Sequence, residues 1–227
     1  MAKKVSRKKL FKKPDEFFTF TGRLIQFGKV HQKQLIWGFA AFFIILAIIS
    51  SYRYFSTKNE SKASLLLSEA QAKYKKALSL KGPEEAFKDV EKDFQKLIDD
   101  YSRKMAGRHA RFIFADIYFD AGKPDQAIEL YKVSLKDWSK EPTIKNIILS
   151  SLGYAYKKKK DYQKALIYYE EISNGTESIG KANALYNLGI IYAKLNKTKK
   201  SLEVYSQVDK DYSDFIYAEI VKDKIRP

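Results

Sequence analysis

Apolar residues change their rhythm twice along this chain. From Gln34 to Tyr52 nineteen consecutive positions carry no charge, and Leu35, Ile36, Trp37, Phe39, Phe42, Phe43, Ile44, Ile45, Leu46, Ile48 and Ile49 leave no polar face. A helix of that length rises close to the ~30 Å of a hydrocarbon core, so the stretch predicts one membrane span over 34–54. Trp37 stands near one edge and Tyr52 and Tyr54 near the other, where amphipathic rings favour the headgroup region. A buried core helix would rarely be apolar on every side. A cleaved signal peptide would have a shorter apolar region, a shorter basic leader and small residues at the cleavage point. A 33-residue leader and the exit Ser-Ser-Tyr-Arg-Tyr-Phe instead favour an uncleaved anchor.

After a polar stretch, 55–62, read as a linker, the pattern turns helical and repeats. The first repeat carries Phe114-Ala115, Tyr118, Gly122, Ala127 and Tyr131. The second carries Leu152-Gly153, Tyr156, Ala165, Tyr169 and Ile172, and the third Leu188-Gly189, Tyr192, Ser201, Tyr205 and Val208. The small residues at 115, 153 and 189 are 38 and 36 apart. Within each repeat a second small residue follows twelve positions later, as in Ala115 with Ala127, Gly153 with Ala165 and Gly189 with Ser201. Two helices of a hairpin approach closely only where both offer a small side chain at the crossing, so the spacing predicts a helix, a short turn and a second helix. Gly122 and Asn196 suit a left-handed residue ending the first helix, and Pro124 suits the first turn of the second. Large aromatics, Tyr118 with Tyr131 and Tyr156 with Tyr169, are expected to fill the wedge between hairpins. Ala63–Leu80 and Pro83–Tyr101 read as an earlier hairpin broken at Gly82-Pro83, and Asp214–Ile225 as a capping helix. The expected fold is all-α: one N-terminal transmembrane helix, then over 63–227 an α-solenoid of hairpins.

Over residues 108–213 this pattern resembles the tetratricopeptide repeat family, whose unit is ~34 residues. The likeness implies a concave surface lined by the first helix of each repeat. Transferred position by position, its inward face is His109, Phe112, Asp116 and Phe119, then Ile147, Ser150, Tyr154, Lys157 and Lys158, then Asn183, Tyr186, Ile190 and Lys194. Phe112, Asp116, Phe119, Tyr154, Lys157, Lys158, Tyr186, Ile190 and Lys194 are the candidate protein-binding residues, with aromatic anchors for a peptide and lysines for charge contacts. The Lys and Asn set that clamps a terminal carboxylate in some members is missing, since Phe112, Asp116 and Ser151 stand in the matching places.

Charge sharpens the topology. The net charge is +16, and half of it falls in residues 1–33, where ten Lys/Arg face only Asp15 and Glu16. Beyond the span only Arg53, Lys58 and Lys62 follow closely. The positive-inside rule then puts the basic arm, 1–33, in the cytoplasm and the repeats across the membrane, which in a bacterium is the periplasm. Within the arm, Phe17, Phe18, Phe20, Leu24, Ile25, Phe27 and Val30 mixed with Arg23 and Lys29 suggest an amphipathic interfacial helix. An excess of lysine packed against a span speaks for membrane topology and against nucleic acid.

Catalytic chemistry is not suggested. With no cysteine there is no thiolate ligand or nucleophile, and His31 and His109 stand apart from any acid, base or phosphate-loop pattern. No enzyme activity, cofactor or small-molecule substrate is expected, and the run Lys157–Lys160 reads as a solvated turn. The whole layout, with Arg53-Tyr54-Phe55 ending the span, resembles bacterial single-span proteins with an exported repeat domain, the group that includes the ancillary subunit of the Sec translocon. That resemblance implies translocon components, periplasmic chaperones or exported clients as partners. A structural adaptor in division, pilus or polysaccharide-export assemblies is the alternative.

Overall fold

The computed structural model describes residues 16–226, with side chains from Phe20 onward. All regular structure among them is helical, in ten helices: α1 (Glu16–Val30), α2 (Gln32–Lys81), α3 (Pro83–Tyr101), α4 (Met105–Asp120), α5 (Pro124–Asp137), α6 (Pro142–Lys158), α7 (Tyr162–Asn174), α8 (Lys181–Lys194), α9 (Thr198–Asp211) and α10 (Ala218–Ile225). The all-α solenoid expected from the spacing is what forms. Two compact units meet between Lys58 and Asn59.

In the first unit, helical hydrogen bonds run past His31: its N–H donates to Phe27 O at 2.9 Å, and Leu35 N–H donates to His31 O at 2.9 Å. Phe20, Leu24 and Phe27, spaced to lie one above another on α1, are exposed. The apolar part of α2 is long enough to cross a bilayer and none of it is buried against the chain, as Trp37, Phe39 and Phe43 illustrate. It is therefore no core helix of this fold.

The residues read as a polar linker, 55–62, are helical and belong to α2. Lys58, Glu60, Lys62 and Ala63 are good helix formers with no Gly or Pro among them. Within the second unit Glu60 also has a structural task. Its carboxylate accepts from the backbone N–H of Met105 at 3.1 Å and of Ala106 at 2.8 Å, capping α4 from 45 residues away.

The second unit is a run of hairpins, each helix packed on its neighbours in the chain from α3 to α10. Ala70, Tyr74 and Ala77 of α2 close over Phe87, Val90, Phe94 and Leu97 of α3 and Phe114 and Ile117 of α4. Phe94 and Phe114 stack there at 5.3 Å and 9°. A second core continues from Ala115 to Val221.

The three later hairpins end their first helix in one way. Lys123 N–H donates to Tyr118 O, Asp161 N–H to Tyr156 O and Lys197 N–H to Tyr192 O, each a six-residue closure around a left-handed residue. Those residues are Gly122 (φ 74°), Lys160 (φ 61°) and Asn196 (φ 57°). Pro83, Pro124 and Pro142 open α3, α5 and α6, where a missing N–H costs no bond.

The crossing points fall where the small residues predicted them. Ser201 Oγ donates to Gly189 O at 2.8 Å across the third hairpin. Tyr169, expected between hairpins, instead covers the glycine of its own hairpin, and Tyr205 does the same in the next. A Cβ on Gly153 would stand 2.8 Å from the Tyr169 ring, and one on Gly189 2.3 Å from Tyr205. Tyr156 stacks on Tyr168 at 5.5 Å, and Tyr118 packs on Phe87 and Phe114. The capping helix is also shorter than expected. Residues 212–217 form tight turns, with Phe215 N–H donating to Tyr212 O and Ala218 N–H to Phe215 O, before α10 begins.

Candidate functional site

The first helices of the last three hairpins, α4, α6 and α8, present their free sides to a common groove of about 830 Å³. Period and tilt dictate this: the second helices bury their small-residue face against the first, leaving one face of each first helix unpacked. Asp116, Phe119 and Asp120 come from α4; Asn146, Ile147, Ser150, Tyr154 and Lys157 come from α6. Asn183, Tyr186 and Asn187 come from α8, and Tyr217 from the turn before α10 closes the far wall.

Its polar groups are organised by one another. Lys157 Nζ donates to Asn187 Oδ1. Asn187 Nδ2 in turn donates to Asn183 O at 2.8 Å, and Asn183 Nδ2 donates to Ser150 Oγ at 3.3 Å. Asn146 Nδ2 donates to Ile179 O at 3.0 Å, tying the loop ahead of α8 to α6. On the other side, Tyr131 Oη donates to Asp116 Oδ1. The aromatic wall has two parts: Phe119 against Tyr154 at 5.4 Å, and Tyr186 stacked on Tyr217 at 4.8 Å and 22°.

Removal from water sets the electrostatics. Burial pushes the Asp116 carboxyl up to about 6, the Tyr131 hydrogen bond opposes the rise, and the charge of Asp120 adds to it. Asp120 is likewise raised by burial. Lys157 is held below the usual lysine range by burial and then by the neighbouring Lys158. Burial, followed by the Asp116 charge, drives the Tyr131 phenol far above its ordinary value, so it remains a donor at any physiological pH.

Of the candidate residues, Asp116, Phe119, Tyr154, Lys157 and Tyr186 line this groove. The other four do not. Phe112 packs on Tyr131 at 6.0 Å, and Ile190 is partly buried against the core. Lys158 is exposed with its ammonium 5.5 Å from the Tyr154 ring, and Lys194 is exposed at the end of α8. His109 lies edge-on to Trp138 at 4.7 Å. The sequence reading missed Asp120, Tyr131, Asn146, Asn187 and Tyr217. Asp120 stands one helical turn after Asp116 and could have been found by that spacing. Tyr217 could not, because it reaches the groove only through the turns after α9.

Among the described residues no group of three or more His, Asp or Glu side chains is placed to hold a metal ion. What the groove offers is a set of aromatic faces, amides and unpaired charges, which is chemistry for recognition.

A stack of helical hairpins with a shared concave groove defines a repeat-type interaction fold. The family described as tetratricopeptide repeat-like domain matches residues 26–207, and the chain belongs to it. No curated protein matches significantly. Among solved structures, BtubC (BKLC) from P. vanneervenii is similar with a TM-score of 0.56 and 15% identity, over 75% of this chain and 81% of that one. A Podosopora anserina protein with nearly identical TPR-like repeats gives 0.57 and 14%, over 72% and 84%. A tetratricopeptide repeat protein from Parabacteroides merdae gives 0.56 and 16%, over 71% and 59%. At such identities the likeness speaks for the fold. Repeats of this kind generally mediate contacts between proteins.

Proposed function

We propose that the protein is a membrane-anchored interaction scaffold of the bacterial cell envelope, which receives peptide segments of exported clients or chaperones beside the export machinery. The observation that carries the reading is the open aromatic and amide groove across α4, α6 and α8, on a chain that also holds an apolar helix of membrane-crossing length. In this reading 34–54 span the inner membrane once, with 1–33 in the cytoplasm and the repeat domain in the periplasm. The support is the charge excess of the arm before the span and the small number of cations after it.

A photo-crosslinking amino acid at Ile147, an exposed residue on the groove wall, tests this in intact membranes. Adducts with translocon components, periplasmic chaperones or exported chains are expected. One stoichiometric complex with a fixed division, pilus or polysaccharide-export protein would replace the export role by that of an adaptor. A C-terminal tag that resists protease in spheroplasts would remove the periplasmic placement altogether.

A further inference from the structure

Little chain separates α1 from the apolar part of α2. α1 ends at Val30, and the uncharged stretch begins at Gln34. Three helical residues cover about 5 Å, so a bilayer around that stretch has its boundary at the end of α1. On α1, Phe20, Leu24 and Phe27 recur at the i, i+4, i+7 spacing of one helix face, and they are 63%, 53% and 57% exposed. Gly22, Gln26 and Lys29 fall on the opposite face by helical register, and they too are exposed.

Position and charge together say what covers the apolar stripe. Standing end-on from the bilayer, α1, with 15 residues and a length of about 22 Å, would hold the stripe in water. Lying along the boundary, it places the stripe among acyl chains and its polar face at the headgroups. Arg23, Lys29, Lys33 and the seven Lys and Arg of residues 1–13 face only Asp15 and Glu16, and cations in that place gain from an anionic leaflet. A second copy of the arm would instead bring like charge to like charge. The chain also has a place to turn. The regular helix is interrupted at His31, which belongs to neither α1 nor α2. A Cβ on Gly28, three residues earlier, would meet nothing, and glycine lets a helix bend at low cost. Two hydrogen bonds still bridge the joint, His31 N–H to Phe27 O and Leu35 N–H to His31 O, which makes it a bend and not a free tether.

We infer that α1 is an interfacial helix that seats Phe20, Leu24 and Phe27 in the acyl boundary of the cytoplasmic leaflet, held there by anionic lipid headgroups on its cations. This rests on the membrane anchor proposed above and adds to it a surface that reads lipid charge. The span alone holds the chain in any bilayer, whereas the posture of the arm depends on the headgroups beside it.

The chain has no cysteine, so single nitroxide labels can report from the whole protein in lipid nanodiscs. Phe20→Cys, Leu24→Cys and Phe27→Cys put labels on the stripe, Gly22→Cys and Gln26→Cys on the opposite face, and Phe43→Cys in the span. All of these positions are exposed, so no label disturbs a core. Collision with oxygen, which concentrates in bilayers, and with a water-soluble nickel chelate gives the depth of each label. In phosphatidylcholine containing phosphatidylglycerol the stripe labels are expected about 5–10 Å below the headgroup boundary, with the Gly22 and Gln26 labels at or above it. Without phosphatidylglycerol, or when salt rises from about 0.1 M to about 1 M and the screening length falls from about 10 Å to about 3 Å, the stripe labels should rise towards water while the Phe43 label stays in place. Equal water exposure on both faces overturns the inference and leaves the anchor standing. So does a stripe shielded from both reagents, which would mean that protein covers it, and so does a depth indifferent to phosphatidylglycerol and salt. Water access at the Phe43 label would overturn the inference together with the anchor beneath it.

Discussion

Replacing Asp116 by asparagine removes a charge from the groove wall while keeping an acceptor for the Tyr131 hydroxyl. In the folded protein this carboxyl binds its proton more tightly than in the unfolded chain, where 3.8 is the ordinary value and about 6 the folded one. The folded state therefore holds the extra proton between those values, so stability falls as pH rises through that window. The favourable contribution is whole below pH 3.8 and gone above pH 6. A rise of about two units at 1.36 kcal/mol each sets an upper bound of about 3 kcal/mol, and screening by water in an open groove reduces it to about 1–2 kcal/mol. Asp116→Asn should thus be more stable than the wild type by that amount at pH 7, and the two should converge near pH 4. Urea unfolding of the full-length protein in detergent micelles reads this through Trp138, a buried indole, in a Trp37→Phe background. Comparing the variant with the wild type at each pH cancels the other carboxylates, among them Asp89 and Asp161, whose paired side chains titrate in the opposite sense. An equal difference at pH 4 and pH 7, or a wild type that gains on the variant as pH rises, would refute the account of a desolvated carboxylate.

Three further substitutions probe the scaffold. Gly189→Ala should lower stability by about 2 kcal/mol in a thermal melt despite alanine's helix propensity of about 1 kcal/mol, because the new methyl meets the Tyr205 ring; an unchanged midpoint would show that the ring moves freely. Lys160→Gly should raise stability by about 0.5–1 kcal/mol, since a left-handed lysine costs more than the entropy glycine brings; Asn196→Gly should gain less, and a loss at Lys160 would count against the turn. Asp137→Ala strands Arg111 in a buried site and should cost about 3 kcal/mol by urea titration, recovered in part by Arg111→Met/Asp137→Leu.

The repeat was readable because its cause is local. A glycine or alanine every 36 or 38 residues, answered twelve positions on, leaves few alternatives to a stacked hairpin. Pairing among the tyrosines was not readable. The chain has 16 of them, and whether Tyr169 covers Gly153 or meets Tyr156 depends on the crossing geometry rather than on spacing. Lys160 hid a left-handed turn because lysine is not a turn former, although it stands 38 residues after Gly122 and 36 before Asn196. The stretch 55–62 looked like a linker because Glu60 takes its partners from the start of α4. The groove divided along the same line. Residues placed by helix register, Asp116, Phe119, Tyr154, Lys157 and Tyr186, fell on it, whereas those that a neighbouring helix turns aside, such as Phe112, did not.

Tyr217 belongs at once to the chain's last turns and to the groove, where its ring lies on Tyr186. Each solenoid unit is held only by its neighbours, and α10 packs on α9. Every opening of the C-terminal segment therefore strips the groove of one side. The apparent Kd is the intrinsic one divided by the fraction of time that side is in place, so anything that steadies 212–225, an occupant included, tightens binding without touching the occupant's own contacts.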